Sequence, residues 1–243
     1  MSESASGLLA SGERVAAYSA DAVRAAEKPL LAEGRPLMRW AAAALADIVA
    51  QQLVARPGRV LVLVGAGDNG GDALYAAAEL GAVAERVDLV LVRDRVHRAA
   101  LDAAVAAGAR VRSASEVRGE LAEYALVLDG ILGIGRLAVR RLRGGARALV
   151  EGVRGLREQP FVVAVDLPSG LDPDDGTADA AVLAADVTVT FGALKAGLVR
   201  GRGPELSGLV HLVDLGLEPY LRLAHPAVTA PVQVVRVTPR DRS

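Results

Sequence analysis

Short runs of consecutive apolar residues alternate along this chain with stretches of helical length, and that alternation limits the fold more than any other feature. The runs fall at Arg59–Val64 (RVLVLV), 87–92 (VDLVLV), 109–112, 124–128 (YALVL), Phe161–Val165 (FVVAV), Val187–Phe191 (VTVTF) and Leu209–Val213. A strand with one wet face alternates apolar with polar residues, whereas an unbroken apolar run marks a strand covered on both faces. Between the runs, residues 72–84, 97–108, 115–123 and 140–157 have the length and composition of helices. Strand, helix, strand in repetition implies a mostly parallel, doubly wound, Rossmann-like α/β sheet with helices on both faces.

Before the first run, Ser19 suits the N-cap of a helix over 19–28, and Pro36 suits the first turn of an Ala-rich helix to about residue 55, which Pro57 and Gly58 end. Residues 1–18 read as a frayed tail, 19–238 as one domain without repeat or linker, and 239–243 as a second tail. Beyond Glu218 the pattern weakens: Pro219, Pro226, Pro231 and Pro239 suggest an irregular segment or an edge strand at 232–237.

Composition narrows the class of function. The chain is 52% hydrophobic and 23% charged, enough for a buried core and too apolar for disorder. A net charge of −1 gives no reason to expect nucleic acid or an anionic membrane. With no cysteine, disulfides, thiolate nucleophiles and Cys-ligated metals are excluded. The Ser-rich start has no basic segment followed by an apolar core, and no apolar run has membrane-spanning length, so a soluble cytoplasmic protein is expected.

Ligands of such sheets bind at the carboxyl ends of the strands. Four polar or glycine-rich loops lie there: GAGDNGGD (65–72), DGILGIGR (129–136), DLPSGLDPDDG (166–176) and FGALKAGL (191–198). The first contains G-x-G-x-x-G at Gly65, Gly67 and Gly70, the spacing of a dinucleotide fingerprint, which makes a dehydrogenase one reading. Asp94 lies where a ribose-binding acid would, although Arg93 beside it could equally meet a 2′-phosphate. Against that reading, Asp68 and Asp72 put two carboxylates where a Rossmann loop presents bare amides to a pyrophosphate. The plainer alternative is a tight glycine turn with Asp72 as a helix-start carboxylate.

Taken together, the loops resemble the NAD(P)H-hydrate epimerase family, the YjeF N-terminal domain. Its first loop, roughly G-x-G-N-N-G-G-D-G, is matched from Gly65 to Ala73. Its later signatures D-x-x-x-G-x-G, D-x-P-S-G and T-F-x-x-x-K-x-G are matched by Asp129 to Gly135, Asp166 to Gly170 and Thr190 to Gly197. Leu37-Met38-Arg39-Trp40-Ala41 is similar to its L-M-E-x-A, and the motifs run in the family's order from about residue 19 to 216.

The resemblance implies an isomerase that interconverts the R and S forms of NADH or NADPH hydrated at C6. Substrate contacts would come from Asp68, Asn69, Gly70, Gly71 and Asp72, from Gly133, Ile134, Gly135, Arg136, Leu137, Ala138 and Val139, and from Asp166. One potassium ion per subunit would sit on Asn69, Asp129 and Ser169, oxygen donors that suit a hard cation, and its charge would offset the local carboxylates. The resemblance also implies a homodimer, with the Ala-rich N-terminal helices as a candidate contact. An NAD(P)H-hydrate dehydratase is implied as functional partner; nothing in this chain resembles that second domain. Some relatives use the fold as a non-catalytic, dimerising scaffold, and loss of the loop residues would favour that alternative.

Three departures stand out. Asp68 replaces an asparagine and Ala73 a frequent glycine, while Arg136, Arg140, Arg141, Arg143 and Arg147 are unusually dense. Those arginines read either as a solvated helix face or, for Arg136 or Arg140, as phosphate contacts. Proton transfer is assigned to Asp166, which ends an apolar strand, and burial there is expected to favour its neutral form. Lys195 is left open between neutralising a carboxylate and reaching a ligand. His97, His211 and His225 lack metal spacing, and Ser169 lacks the context of a hydrolase nucleophile.

Overall fold

The computed structural model describes residues 7–8, 14–135 and 141–238. A main sheet of nine strands has the order β1-β12-β10-β8-β7-β6-β3-β4-β5. Its strands are β1 (Gly7–Leu8), β3 (Arg59–Val64), β4 (Arg86–Leu91), β5 (Arg110–Val111), β6 (Tyr124–Gly130), β7 (Phe161–Val165), β8 (Val187–Phe191), β10 (Leu209–Val213) and β12 (Val234–Val237). Every pairing is parallel except β1 with β12. A second, three-stranded sheet joins β2 (Arg14–Tyr18), β9 (Leu194–Lys195) and β11 (Val228–Pro231) in the order β11-β2-β9.

The strands expected from the apolar runs are all present; β12 falls in the segment expected as a late edge strand but is not the edge, since it pairs in parallel with β10 and β1 pairs outside it. The expected tail over 1–18 needs correction at its end. Residues 14–18 form β2, which pairs with β11 and, through Ala17 and Tyr18, with β9. Val15 and Ala17 are buried on one side of this strand; the run RVAAY is too short and too alanine-rich to stand out as a strand.

Two faces of the main sheet are covered by different helices. β3 divides its side chains by the two-residue period of a strand. Val60, Val62 and Val64 pack with helices α1 (Ala20–Ala32), α2 (Leu37–Ala55), α3 (Asp68–Leu80) and α4 (Arg98–Ala106). Leu61 and Leu63 pack with α5 (Ala114–Arg118), the 3₁₀ turn Leu121–Glu123 and α6 (Gly144–Arg154). Two single-turn helices, α7 (Gly203–Leu206) and α8 (Glu218–Leu221), flank β10 in the sequence. The alanines of α2 from Ala41 to Ala44, with Ala46, are buried inside the subunit, so they are not a free face for a second copy.

Ser19 caps α1 by accepting from the Ala22 amide, as expected, whereas Pro36 stands at the N-cap of α2 rather than in its first turn. One helix boundary differs with consequence for the site. α3 begins at Asp68 rather than at residue 72, so the DNGG segment is the first turn of a helix and only Gly65–Gly67 is loop.

Candidate active site

At the carboxyl ends of β3, β4, β6 and β7 lies a cleft of about 820 Å³. It sits at the switch point of the sheet, where β3 has β4 on one side and β6 on the other. Tight backbone approaches build its base. A Cβ on Gly65 would lie 1.9 Å from the Ile131 carbonyl oxygen, and one on Gly70 would lie 2.2 Å from the Gly65 carbonyl oxygen. These two glycines therefore press the start of α3 against the loop after β6. Gly67 has open space around it and lines the cleft.

Asp166 ends β7 and is the only non-glycine residue with positive φ among the described residues, at 66°. Strain of this kind is held by its surroundings and recurs at functional sites. Here the surroundings are explicit. Lys195 Nζ donates to Asp166 Oδ1 at 2.5 Å, to Thr190 Oγ1 at 3.1 Å and to the Phe191 carbonyl at 2.7 Å. Thr190 Oγ1 donates to the same Asp166 oxygen, and Asp166 Oδ2 accepts from the Ile134 amide at 3.2 Å. Lys195 is 1% exposed, and its three contacts fix the amino group in place. Its placement depends on β9 pairing with β2. Sequence reading anticipated burial of Asp166; the structure adds a cation in contact, which settles the open reading of Lys195 as partner to a carboxylate.

Asp129 and Ser169 meet beneath residues 130–133, and Asn69, which lines the cleft, reaches the same loop at Gly133. Asp129 and Ser169 are wholly buried. Ser169 donates through its hydroxyl to Asp129 Oδ1 at 2.6 Å and through its amide to Oδ2 at 2.9 Å. The Leu132 amide donates to Ser169 Oγ at 2.9 Å. A Cβ on Gly133 would lie 2.8 Å from Asn69 Oδ1. Burial pushes the Asp129 carboxyl up, against hydrogen bonds from Ser169 and Ile131 that pull it down. Asn69 is buried at the start of α3, and neither atom of its amide group has a hydrogen-bond partner among the described residues. An orphaned buried amide is unusual and implies a missing partner.

Asp68 and Asp72 also line the cleft, whereas Gly70 and Gly71 are buried against Gly65 and Met38 and do not. Gly133, Ile134 and Gly135 line it; Arg136, Leu137, Ala138 and Val139 lie outside the described residues. Ala73 is fully buried, and its Cβ occupies space that a side chain on Gly130 would need. Of the arginine-dense stretch, Arg141 and Arg143 line the cleft, while Arg147 pairs with Glu151 on an exposed helix face; Arg140 is outside the described residues. His97 caps α4 through Nδ1 and packs edge-on against Tyr75, a structural role.

One residue escaped the sequence reading. Glu27, on α1, lines the cleft. Its signal was present: Glu27 falls four residues after Val23 and three before Leu30, inside the apolar stripe that α1 buries. Loop 166–176 holds that helix in place, since Asp174 accepts from the Ala20 amide at 2.7 Å, and Arg24 donates to the Ile134 carbonyl. Burial raises the Glu27 carboxyl above its ordinary range; Lys195 and Arg24 oppose this, and Asp166 and Asp68 add to it. Asp72 is pushed well above the ordinary range, first by burial and then by the negative charges of Asp166, Asp68 and Glu27. The interior of the cleft is therefore a set of carboxyl groups short of positive charge, able to hold protons and to attract a cation.

Comparison with known proteins identifies the family. The family model described as YjeF-related protein N-terminus matches residues 34–197. Over 230 residues the chain is 78% identical to the NAD(P)H-hydrate epimerase of Microbacterium testaceum, covering 95% of this chain and 90% of that protein. It is 42% identical over 219 residues to the bifunctional NAD(P)H-hydrate repair enzyme Nnr of Mycobacterium tuberculosis, covering 87% of this chain and 43% of that longer protein. Among solved structures, that of yeast ynu0 superposes with a TM-score of 0.66 at 21% identity, covering 75% of this chain and 83% of that one; this likeness concerns the fold.

Proposed function

The chain belongs to the YjeF-related N-terminal family, and from that premise we propose that it is an isomerase that epimerises NADH or NADPH hydrated on the nicotinamide ring. The observation that carries this reading is the strained, buried Asp166 at the centre of the cleft, with one carboxylate oxygen bound to Lys195 and the other aimed at the glycine loop after β6.

The chemistry is internally balanced and needs no redox partner. A proton delivered to the C6 hydroxyl lets that oxygen leave as water while the ring nitrogen's electron pair forms an iminium. Water then adds to the opposite face and returns a proton to the protein. Asp166 is the group assigned to give and take that proton. Lys195 acts through it, holding one oxygen so that the other faces the cleft. Glu27 and Asp72, both raised by burial, add carboxyls that keep their protons more readily than free ones, and Ile131 and Leu132 line the same cleft.

Potassium is the cation assigned to Asn69, Asp129 and Ser169. Their amide, carboxylate and hydroxyl oxygens are the donors a hard cation takes, and the unpartnered Asn69 side chain supports the assignment. When bound, the ion supplies positive charge to an interior that lacks it. Among the described residues no helix is long and apolar enough to cross a membrane. A cytoplasmic location and a homodimer belong to the same reading, on the family resemblance alone. The bifunctional mycobacterial relative supports a dehydratase as functional partner.

The test is a coupled assay with mixed R and S NADH hydrate and an S-specific dehydratase. Recovery of NADH is expected to continue past the point at which the S form is exhausted, and to stall there with Asp166→Asn. A stall with the folded wild-type protein and potassium present would sink the reading.

A further inference from the structure

Asp94 is flanked by Arg93 and Arg95 in the loop that follows β4. In a doubly wound sheet this is the place where an acidic side chain binds an adenosine ribose 2′-hydroxyl, or a cation accepts a 2′-phosphate. The triplet Arg-Asp-Arg permits either as sequence. The structure separates them: Arg93 and Arg95 line the cleft and Asp94 does not. Neither arginine has an ion-pair partner among the described residues, so their charge is available to a ligand.

Their position relative to Asp166 also fits. From β7 the sheet runs through β6 and β3 to β4, three interstrand steps and roughly 14 Å at the usual strand spacing. A dinucleotide with its hydrated ring at Asp166 would lie across the crevice between β6 and β3, over Gly67, and bring its adenosine ribose toward β4. Charge runs the same way along the cleft. The lining from α1, α3 and the end of β7 carries the carboxyls of Glu27, Asp68, Asp72 and Asp166, and the loop after β4 carries the guanidiniums of Arg93 and Arg95, which attract a phosphate. Arg141 and Arg143, toward the β6 side, would face the pyrophosphate that both cofactors share, and so cannot discriminate between them.

We propose that Arg93 and Arg95 form a subsite for an adenosine 2′-phosphate, so that the chain prefers NADPH hydrate to NADH hydrate. This rests on the epimerase reading for its substrate but not for its first test. Calorimetry with 2′-phospho-ADP-ribose and with ADP-ribose measures the subsite without turnover. Charge-assisted bonds from two guanidiniums are expected to make the phosphorylated fragment bind about ten- to hundredfold more tightly. The double variant Arg93→Ala/Arg95→Ala is expected to lose that difference, and Asp94→Ala to keep it. Equal affinities in the wild type, or a preference that survives the double variant at an unchanged melting temperature, would overturn the proposal.

Turnover gives the second readout. The ratio of kcat/KM for NADPH hydrate to that for NADH hydrate is expected to exceed one by about tenfold and to collapse in the double variant through KM. If neither hydrate is epimerised, the functional reading fails, and the fragment affinities still decide the subsite.

Discussion

The two ends of the same sheet bury aspartates in opposite ways. At the amino end, Asp88 is wholly buried on β4 and meets cationic and hydroxyl groups through Oδ2, while its Oδ1 has no hydrogen-bond partner among the described residues. Arg86 donates to Asp88 Oδ2 at 2.9 Å and Tyr124 donates to the same oxygen at 2.8 Å, with Arg59 at 3.4 Å. Arg112 binds Glu120 through two nitrogens at 2.9 and 2.8 Å, and Arg59 also reaches Glu123. Arginines 59, 86 and 112 meet Asp88, Glu120 and Glu123, so that end is neutral. At the carboxyl end, Glu27, Asp68, Asp72 and Asp166 surround Lys195, with Arg24 at the margin. A buried ion network that is matched holds structure; one left short of partners costs stability and is retained where a ligand completes it.

That contrast can be broken experimentally, and the largest effect should come from chemistry at the carboxyl end. Asp166→Asn is expected to lower the epimerisation rate of the folded protein by roughly 10²–10⁴-fold, the range for removing a positioned proton-transfer group, and also to lower the melting temperature, because the buried Lys195 loses its carboxylate. At the amino end only stability should suffer. Asp88→Ala removes one partner of a buried network and is expected to cost about 3–5 kcal/mol of stability in denaturant titration, with the turnover of the remaining folded protein unaffected. If Asp88→Ala lowered turnover without unfolding, the division between a structural and a functional end would be wrong.

A smaller effect is expected from potassium. With the ion at ten times its dissociation constant, stabilisation should be about 1.4 kcal/mol. It should be seen as a rise in Tm in potassium chloride over choline chloride that Asn69→Ala removes. A rise that persists in Asn69→Ala would place the ion elsewhere.

The smallest effect concerns pH. Burial raises the Asp72 carboxyl in the folded chain, so the folded state keeps that proton to a higher pH than the unfolded state does. Its contribution is therefore most favourable below the unfolded value near 4 and is lost as pH rises toward the folded value. Asp72→Asn should remove this loss and raise stability at neutral pH by about 1 kcal/mol, or roughly 2–4 °C in Tm. An unchanged slope of stability against pH above 4 would mean that Asp72 is already compensated.

How much of this was readable beforehand depended on how local the physics is. Most of the seven runs became buried strands because Val- and Leu-rich segments of strand length leave few other ways to bury both faces. The loop signatures located Asp129, Asp166 and Ser169 at one edge because strand ends in a parallel sheet share that edge. The amino end was not readable at all. Arg59, Asp88, Arg112, Glu120 and Tyr124 come from separate elements and carry no common spacing.

By itself, then, the sequence determined the layer order of a doubly wound sheet, the edge at which ligands bind and the identity of the motif residues. These follow from short-range periodicity and from strand polarity. Tertiary structure decided the rest, because it depends on groups far apart in the chain meeting in low dielectric. It placed Lys195 on Asp166 by pairing β9 with a strand at residues 14–18, where a tail was expected. It brought Glu27 into the cleft from a helix, left the Asn69 side chain without a partner among the described residues, and set Arg93 and Arg95, but not Asp94, along the cleft.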